Sequence, residues 1–239
     1  METFLGKKMD EKGRKSFEGG ITVGVKVKIC GLTTVNEAQM LIEEKADFGG
    51  VVLFYEKSKR NCSPKQATEI TAALRQAGIK SVAVTVSPTL GQIEEIEKAG
   101  FDYLQVHGEL REEVLQSGTL PIIRAFNISN MKEREILEKE KRIAGWLFDA
   151  AVPGAGKTFD WSLLKEIERD GKLRFLAGGL TADNVSEAVK QVKPDIVDVS
   201  SGVEFESAEE IERMGFRKNP EKVKQFIRNA KNRVTEKGV

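Results

Sequence analysis

Short apolar runs rich in valine, isoleucine and phenylalanine alternate along the chain with longer amphipathic, charged stretches. We predict the apolar runs to be strands over Val25–Cys30, Phe48–Phe54, Lys80–Val86, Tyr103–His107, Pro121–Phe126, Gly145–Asp149, Leu173–Ala177 and Asp195–Ser200. The stretches between and after them predict helices over Val35–Ala46, Pro64–Ala77, Ile93–Ala99, Arg111–Gln116, Lys132–Lys141, Trp161–Arg169, Ala182–Val192 and Pro220–Asn232. Successive strands begin about 24 residues apart, which is the length of one strand–helix unit with short loops.

Eight strands that are each followed by a helix predict a single closed (β/α)8 barrel of the α/β class. An open doubly wound sheet is the alternative. Such a sheet usually has a glycine-rich dinucleotide-binding turn after its first strand, whereas this chain has Cys30-Gly31-Leu32-Thr33 there. The length of 239 residues suits one barrel. We therefore predict the barrel over residues 25–239, preceded by a flexible extension of residues 1–24.

The charges nearly cancel, with 38 Lys and Arg against 37 Asp and Glu, so no global field favours nucleic acid or a membrane surface as a partner. Neither a signal-peptide pattern nor a membrane-spanning apolar run is found in the sequence. Two cysteines, Cys30 and Cys62, are too few for a disulfide scaffold in a chain of this size. We expect a reduced, cytoplasmic protein.

Glycines and serines follow the last two predicted strands. Gly178 and Gly179 come after the seventh strand, and Ser200, Ser201 and Gly202 come after the eighth. Glycine lets the backbone approach a ligand closely, while hydroxyl and N–H groups bind anions, and these two loops are the usual phosphate site of a barrel. The pattern predicts a phosphate-binding site, although ordinary turn glycines and helix caps would produce the same residues.

Cys30 and Asp149 end the first and sixth predicted strands, which lie three strands apart around a ring of eight. The two side chains would face each other across the barrel mouth, where a thiol and a carboxyl group can act as base and acid. Lys28 lies on the same strand face one layer below Cys30 and could depress the pKa of the thiol, unless Asp198 neutralises it. The alternatives are a small buried cysteine and an aspartate in a cap or an ion pair.

His107 ends the fourth predicted strand and is the only histidine of the chain. It is either a proton shuttle or a hydrogen-bonded support at the rim, and we favour the second role. No cluster of His, Cys and carboxylate residues has the spacing of metal ligands, so we predict no metal site.

Seven segments together resemble the phosphoribosylanthranilate isomerase family and occur in the order typical of it. They are Val27-Lys28-Ile29-Cys30-Gly31-Leu32-Thr33, Lys57-Ser58-Lys59-Arg60, Leu104-Gln105-Val106-His107-Gly108, Leu147-Phe148-Asp149, Gly156-Lys157-Thr158-Phe159-Asp160-Trp161, Ala177-Gly178-Gly179-Leu180 and Asp198-Val199-Ser200-Ser201-Gly202-Val203-Glu204. Each segment is moderately specific alone, and the ordered set is highly specific.

The resemblance implies an Amadori rearrangement of N-(5-phosphoribosyl)anthranilate in tryptophan biosynthesis. By position in the motifs, Cys30 corresponds to the general base, Asp149 to the general acid, and Arg60 to the residue near the anthranilate carboxylate. We place His107 and Lys28 with Arg60 at the substrate. Gly178, Gly179, Ser201 and Gly202 carry over as the phosphate cradle. The chemistry implies no cofactor, and the partner implied is a phosphorylated small molecule.

Two other functions stay open. One is the isomerase of histidine biosynthesis, which performs the same rearrangement on a related ribosyl phosphate. Its active site resembles one with two carboxylates, of which one is an aspartate at the end of the first strand. This chain has Cys30 at that position, which argues against this alternative. The other is a barrel that binds a sugar phosphate without catalysis. Members of the family occur as monomers and homodimers, and the sequence does not decide between these states.

Overall fold

Nine strands of the described part of the chain build the centre of the molecule, and eight of them lie close to the predicted boundaries. The computed structural model describes residues 24–127, 132–149, 161–164 and 167–232. Within these residues the strands are β1 (Lys26–Cys30), β2 (Phe48–Leu53), β3 (Asn61–Cys62), β4 (Lys80–Val86), β5 (Tyr103–His107), β6 (Ile122–Asn127), β7 (Ile143–Asp149), β8 (Leu173–Leu176) and β9 (Ile196–Val199).

The strands close into a parallel ring in the order β1-β9-β8-β7-β6-β5-β4-β2, with β2 pairing back onto β1. The predicted (β/α)8 barrel is therefore confirmed. The two-residue strand β3 was not predicted; it extends the sheet beside β2 without joining the ring. It follows the loop that contains Arg60 and leads into the next helix, so it fixes the end of that loop.

The helices surround the ring, and most of them begin near the predicted residues. They are α1 (Val35–Glu43), α2 (Pro64–Gln76), α3 (Leu90–Ala99), α4 (Glu112–Ser117), α5 (Lys132–Leu137), α6 (Val185–Val192), α7 (Ala208–Met214) and α8 (Pro220–Lys231). Ser63 accepts a hydrogen bond from the backbone N–H of Gln66, and Pro64 occupies the first turn of α2, which explains why that helix begins where it does.

One predicted helix, Trp161–Arg169, is wrong over much of its length. A short 3-10 helix covers Trp161–Leu164, and residues 167–169 are not helical. The guanidinium of Arg174 donates hydrogen bonds to the carbonyl oxygens of Leu164 and Ile167 at 3.3 and 2.6 Å. These carbonyls are satisfied by the buried arginine of the next strand, so they do not need the N–H groups of another helical turn.

Alternation along the strands divides the core into two layers. On β1, Val27 and Ile29 belong to the layer between the ring and the helices, while Cys30 belongs to the cluster inside the ring. The inner cluster also contains Phe48, Leu147 and Phe175. Because these side chains fill the interior of the ring, a cavity for a ligand can occur only at an end of the barrel.

The predicted extension of residues 1–24 lies outside the described residues except for Gly24.

Candidate active site

A cavity of about 570 Å³ lies at the carboxyl ends of the strands. Every predicted site residue except Lys28 lies in its wall or its rim. Its lining consists of Cys30, Val52, Tyr55, Ser58, Lys59, Arg60, Val86, Gln105, His107, Leu147, Asp149, Ala177, Gly178, Gly179, Leu180, Asp198, Val199, Ser200, Ser201 and Gly202. The volume is suitable for a ligand the size of a substituted sugar phosphate.

Cys30 and Asp149 line this cavity from strands that are separated by two others, β9 and β8, around the ring. Strand alternation turns both side chains inward: Cys30 packs with the inner cluster, and Leu147, two residues before Asp149, does so as well. Asp149 is half-buried. A ligand in the cavity would therefore lie between a thiol and a carboxyl group.

The thiol of Cys30 depends on a glycine of the neighbouring strand for its space. Gly50 pairs with Cys30 across β1 and β2, and a Cβ atom at position 50 would lie 3.0 Å from Sγ and 3.2 Å from Cε of Lys28. Such a contact is tighter than van der Waals packing allows without a shift. Gly50 therefore permits the present position of the thiol and of the lysine stem beside it.

An ion pair lies next to the thiol. The ammonium of Lys28 donates a hydrogen bond to Oδ2 of Asp198 at 2.7 Å, and both side chains are buried. Lys28 is fully buried and is not part of the cavity wall, so it supports the site through its neighbours. The expected depression of the thiol pKa is not found. Burial raises the pKa of Cys30, Lys28 lowers it, and the negative charge of Asp198 raises it again.

His107 and Gln105 form a hydrogen-bonded pair on one face of β5. The distance between Nε2 of Gln105 and Nε2 of His107 is 2.8 Å. Burial, followed by the positive charges of Lys28 and Arg124, lowers the pKa of His107 to about 4. The imidazole is thus neutral near pH 7, and the amide N–H of Gln105 donates to it. This arrangement agrees with a hydrogen-bonded support more than with a proton shuttle.

Arg60 lies at the cavity wall and is held by Glu204. Its Nε and Nη2 atoms donate to the two carboxylate oxygens of Glu204 at 2.5 and 3.0 Å. Gly31, with φ of +80°, makes room for the arginine stem, because a Cβ atom there would lie 2.3 Å from Cδ of Arg60. The pKa of Glu204 is lowered to about 2: burial opposes this shift, and the bonds and charges of Arg60 and Lys218 outweigh it.

The loops after β8 and β9 form one end of the cavity. Gly178 and Gly179 have φ of +84° and +65°, a region that favours glycine. A Cβ atom at Gly202 would lie 2.1 Å from the carbonyl oxygen of Leu180, so the two loops touch at a position that only glycine fits. The hydroxyl of Ser200 donates to the carbonyl of Cys30 at 3.0 Å. The hydroxyl of Ser201 and the loop N–H groups are therefore the donors best placed for an anion.

Gln105 and Glu204 belong to this site, and the sequence pattern assigned neither of them a role. Gln105 could have been found, because it shares a strand face with His107 two residues later. Glu204 could not, because its partner Arg60 lies 144 residues away along the chain. Within the described ranges no group of three His, Cys, Asp or Glu side chains could hold a metal ion.

Comparison with known proteins decides the family. The profile of N-(5'phosphoribosyl)anthranilate (PRA) isomerase matches residues 27–229. The chain belongs to this family. A Streptococcus mutans N-(5'-phosphoribosyl)anthranilate isomerase is 40% identical over 207 residues, which cover 86% of this chain and 98% of the relative.

Solved structures agree with this membership of the isomerase family. The phosphoribosyl anthranilate isomerase of Thermotoga maritima superposes with a TM-score of 0.74 at 35% identity, covering 87% of this chain and 98% of its own. A second structure, with a TM-score of 0.71 at 33% identity, covers 87% and 98% and contains reduced 1-(o-carboxyphenylamino)-1-deoxyribulose 5-phosphate. That ligand has a carboxylate at one end and a phosphate at the other.

No helix in the described part of the chain is both long and apolar enough to cross a membrane.

Proposed function

We propose that this chain isomerises N-(5-phosphoribosyl)anthranilate to 1-(2-carboxyphenylamino)-1-deoxyribulose 5-phosphate, a step of tryptophan biosynthesis, with Cys30 as general base and Asp149 as general acid. One observation carries the assignment of roles: the thiol and the carboxyl group line a single cavity from separated strands of the barrel. Membership of the isomerase family supports the reaction, and the placement of the two groups supports the division of roles.

The rearrangement needs two proton transfers on either side of C1 of the sugar, one to the ring oxygen and one from C2. Asp149, as a carboxylic acid, protonates the furanose ring oxygen while the bond from that oxygen to C1 breaks, and the lone pair of the anthranilate nitrogen forms the C1=N bond of a Schiff base. The thiolate of Cys30 then removes the proton from C2; the electron pair of the C–H bond forms the C1=C2 bond of an enolamine, and the π pair of the C1=N bond returns to nitrogen. Tautomerisation gives the aminoketone product.

The environment of Cys30 suits a base that acts inside a closed site. Burial raises the pKa of the thiol, which makes the thiolate a stronger base for the weakly acidic C2 proton, although less of it is present at neutral pH. Lys28 lies close enough to favour the thiolate. The two effects oppose each other, and the ion pair with Asp198 limits the contribution of Lys28.

Two sets of residues at the cavity bind the charged ends of the substrate in this proposal. Gly178, Gly179, Ser201 and Gly202 supply backbone approach and donors for the phosphate. Arg60 supplies a guanidinium for the anthranilate carboxylate. These anchors hold the ribose between thiol and carboxyl group, which contributes to catalysis by fixing the reacting atoms.

The reaction requires only proton transfers, so the proposal includes no cofactor, and its partner is a phosphorylated small molecule. A thiol base must stay reduced, and Cys30 and Cys62 are free thiols; this supports action in the cytoplasm.

The loss of anthranilate fluorescence after the purified protein is added to freshly prepared phosphoribosylanthranilate tests the reaction. The proposal predicts enzyme-dependent decay well above the spontaneous rate. The aminosugar substrate of the histidine-pathway isomerase serves as the second arm of the experiment. Turnover of that compound alone would show that the chain has the activity of the histidine-pathway isomerase. Binding of both compounds without turnover of either would show that the chain is a non-catalytic barrel that binds sugar phosphates.

A further inference from the structure

A buried charge network joins the arginine at the cavity wall to the loop after β9. Glu204 is 4% exposed and accepts from Arg60 with both carboxylate oxygens. Its Oε1 also accepts from Nζ of Lys218 at 3.0 Å, and Lys218 is fully buried. The same Nζ donates to the carbonyl oxygen of Ser200 at 3.1 Å. One carboxylate is thus shared by the arginine and by a lysine that holds the loop after β9.

The contacts leave one edge of the arginine open. A guanidinium has a side edge, formed by Nε and Nη2, and an end edge, formed by Nη1 and Nη2, and either can pair with a carboxylate. Glu204 occupies the side edge of Arg60. Among the residues that the structure describes, none accepts a hydrogen bond from Nη1. A ligand carboxylate can therefore use only the end edge.

The stem of Arg60 is also restrained. It crosses Gly31 so closely that a Cβ atom there would be 2.3 Å from Cδ. With the stem held at Gly31 and the side edge held at Glu204, the guanidinium keeps one direction. An arginine that is fixed in this way loses little side-chain entropy when a ligand binds, which raises affinity and selectivity.

We propose that Glu204 is a positioning residue that orients Arg60 so that its end edge faces the substrate carboxylate. Through Lys218, Glu204 also links Arg60 to the phosphate-binding loop after β9. The inference rests on the proposed function for the identity of the carboxylate. Glu204 is not part of the cavity wall, so the proposal places it in contact with neither the reacting atoms nor the substrate. Its effect is expected on the recognition of a carboxylated ring and not on the proton transfers.

The test compares two substrates and two variants that lose the same charge. Glu204→Gln removes the charge that holds Arg60, while Glu206→Gln removes a charge two residues away that is 86% exposed and pairs with Lys222. The substrates are phosphoribosylanthranilate and its counterpart made from aniline, which lacks the carboxylate. We expect Glu204→Gln to raise KM about tenfold for the first substrate and less than twofold for the second, with kcat within about threefold. Glu206→Gln should match the parent on both.

A double-mutant cycle separates positioning from general stability. In an Arg60→Ala background Glu204→Gln should have almost no further effect on KM, because the group it orients is gone. Equal losses on both substrates, or additive losses with Arg60→Ala, would show that Glu204 only stabilises the loop and would overturn the proposal. Because Glu204→Gln leaves buried Lys218 unpaired, Glu204→Asp is measured as well; it keeps the charge and should recover part of the selectivity.

Binding distinguishes a failure of this inference from a failure of the proposed function. The dissociation constants of the reduced product analogue and of its counterpart without the carboxylate are measured by titration calorimetry for all variants. One result is that the parent fails to turn over phosphoribosylanthranilate and still binds the carboxylated analogue more tightly, with that preference lost in Glu204→Gln. This result would support the inference and overturn the proposed function. Normal turnover with a preference that is insensitive to Glu204 overturns the inference alone.

Discussion

The ammonium of Lys28 and the carboxylate of Asp198 lie 2.7 Å apart, buried beside the thiol of Cys30. The two charges act on the thiol in opposite directions, since Lys28 lowers its pKa and Asp198 raises it. Each charge of the pair therefore has a separate effect on the proposed base, and each also leaves the other unpaired in the interior when it is removed.

Variants of this ion pair should move the thiol pKa in opposite directions. Asp198→Asn removes the negative charge and is expected to lower the pKa of Cys30, whereas Lys28→Met removes the positive charge and is expected to raise it. The pH dependence of iodoacetamide alkylation measures both, with peptide mass separating Cys30 from Cys62. The double variant, which buries no unpaired charge, serves as the control for folding. Shifts in the same direction for both single variants would refute this account of the thiol.

His107 should remain neutral in the native protein near pH 7. Burial, with Lys28 and Arg124, lowers its pKa to about 4, below the usual histidine value of 6.5. As the pH falls, the unfolded chain protonates His107 near pH 6.5, whereas the folded protein does so only near pH 4. The contribution of neutral His107 to stability is therefore complete above about pH 6.5 and is lost as the pH falls toward 4. The chain has a single histidine, so its imidazole resonance in a proton NMR titration is unambiguous. Titration of that resonance with a midpoint near 6.5 would contradict the structure.

Gly202→Ala should weaken phosphate binding, because the added Cβ atom would lie 2.1 Å from the carbonyl oxygen of Leu180 and would force the last two loops apart. We expect the dissociation constant of inorganic phosphate to rise at least tenfold and the free energy of unfolding to fall by about 1–3 kcal/mol. Calorimetric titration with phosphate and chemical denaturation measure the two effects. Gly91→Ala, in α3 with no atom within 4 Å of the new Cβ, is the matched control and should bind phosphate normally.

Much of the fold follows from local pattern. The predicted strands Lys80–Val86 and Tyr103–His107 have the observed boundaries, because short apolar runs bounded by turns fit a ring buried on both faces. Strand alternation and the closed ring then suffice to place Cys30 and Asp149 at one cavity. These features depend on residues close together in sequence and on one rule of topology, namely that the carboxyl ends of parallel strands lie at the same end of the barrel.

The remaining features depend on contacts between distant residues. The helix predicted over Trp161–Arg169 ends early because Arg174 binds its carbonyl groups, and no periodicity signals that bond. The partnership of Arg60 with Glu204 is set by loop geometry across 144 residues. The thiol pKa depends on burial of Cys30 more than on Lys28. The sequence pattern shows that a charged lysine is near the thiol, but it does not show how deeply the thiol is buried.

The central claim is that Cys30 and Asp149 transfer the two protons, and turnover of phosphoribosylanthranilate by Cys30→Ser and Asp149→Asn tests it most directly. The account predicts that each substitution lowers kcat by roughly 10²–10⁴-fold, because a hydroxyl is a far weaker base than a thiolate and an amide cannot donate an acidic proton. Binding of the reduced product analogue should change little. Turnover close to that of the parent protein in either variant, with the fold intact, would contradict the account.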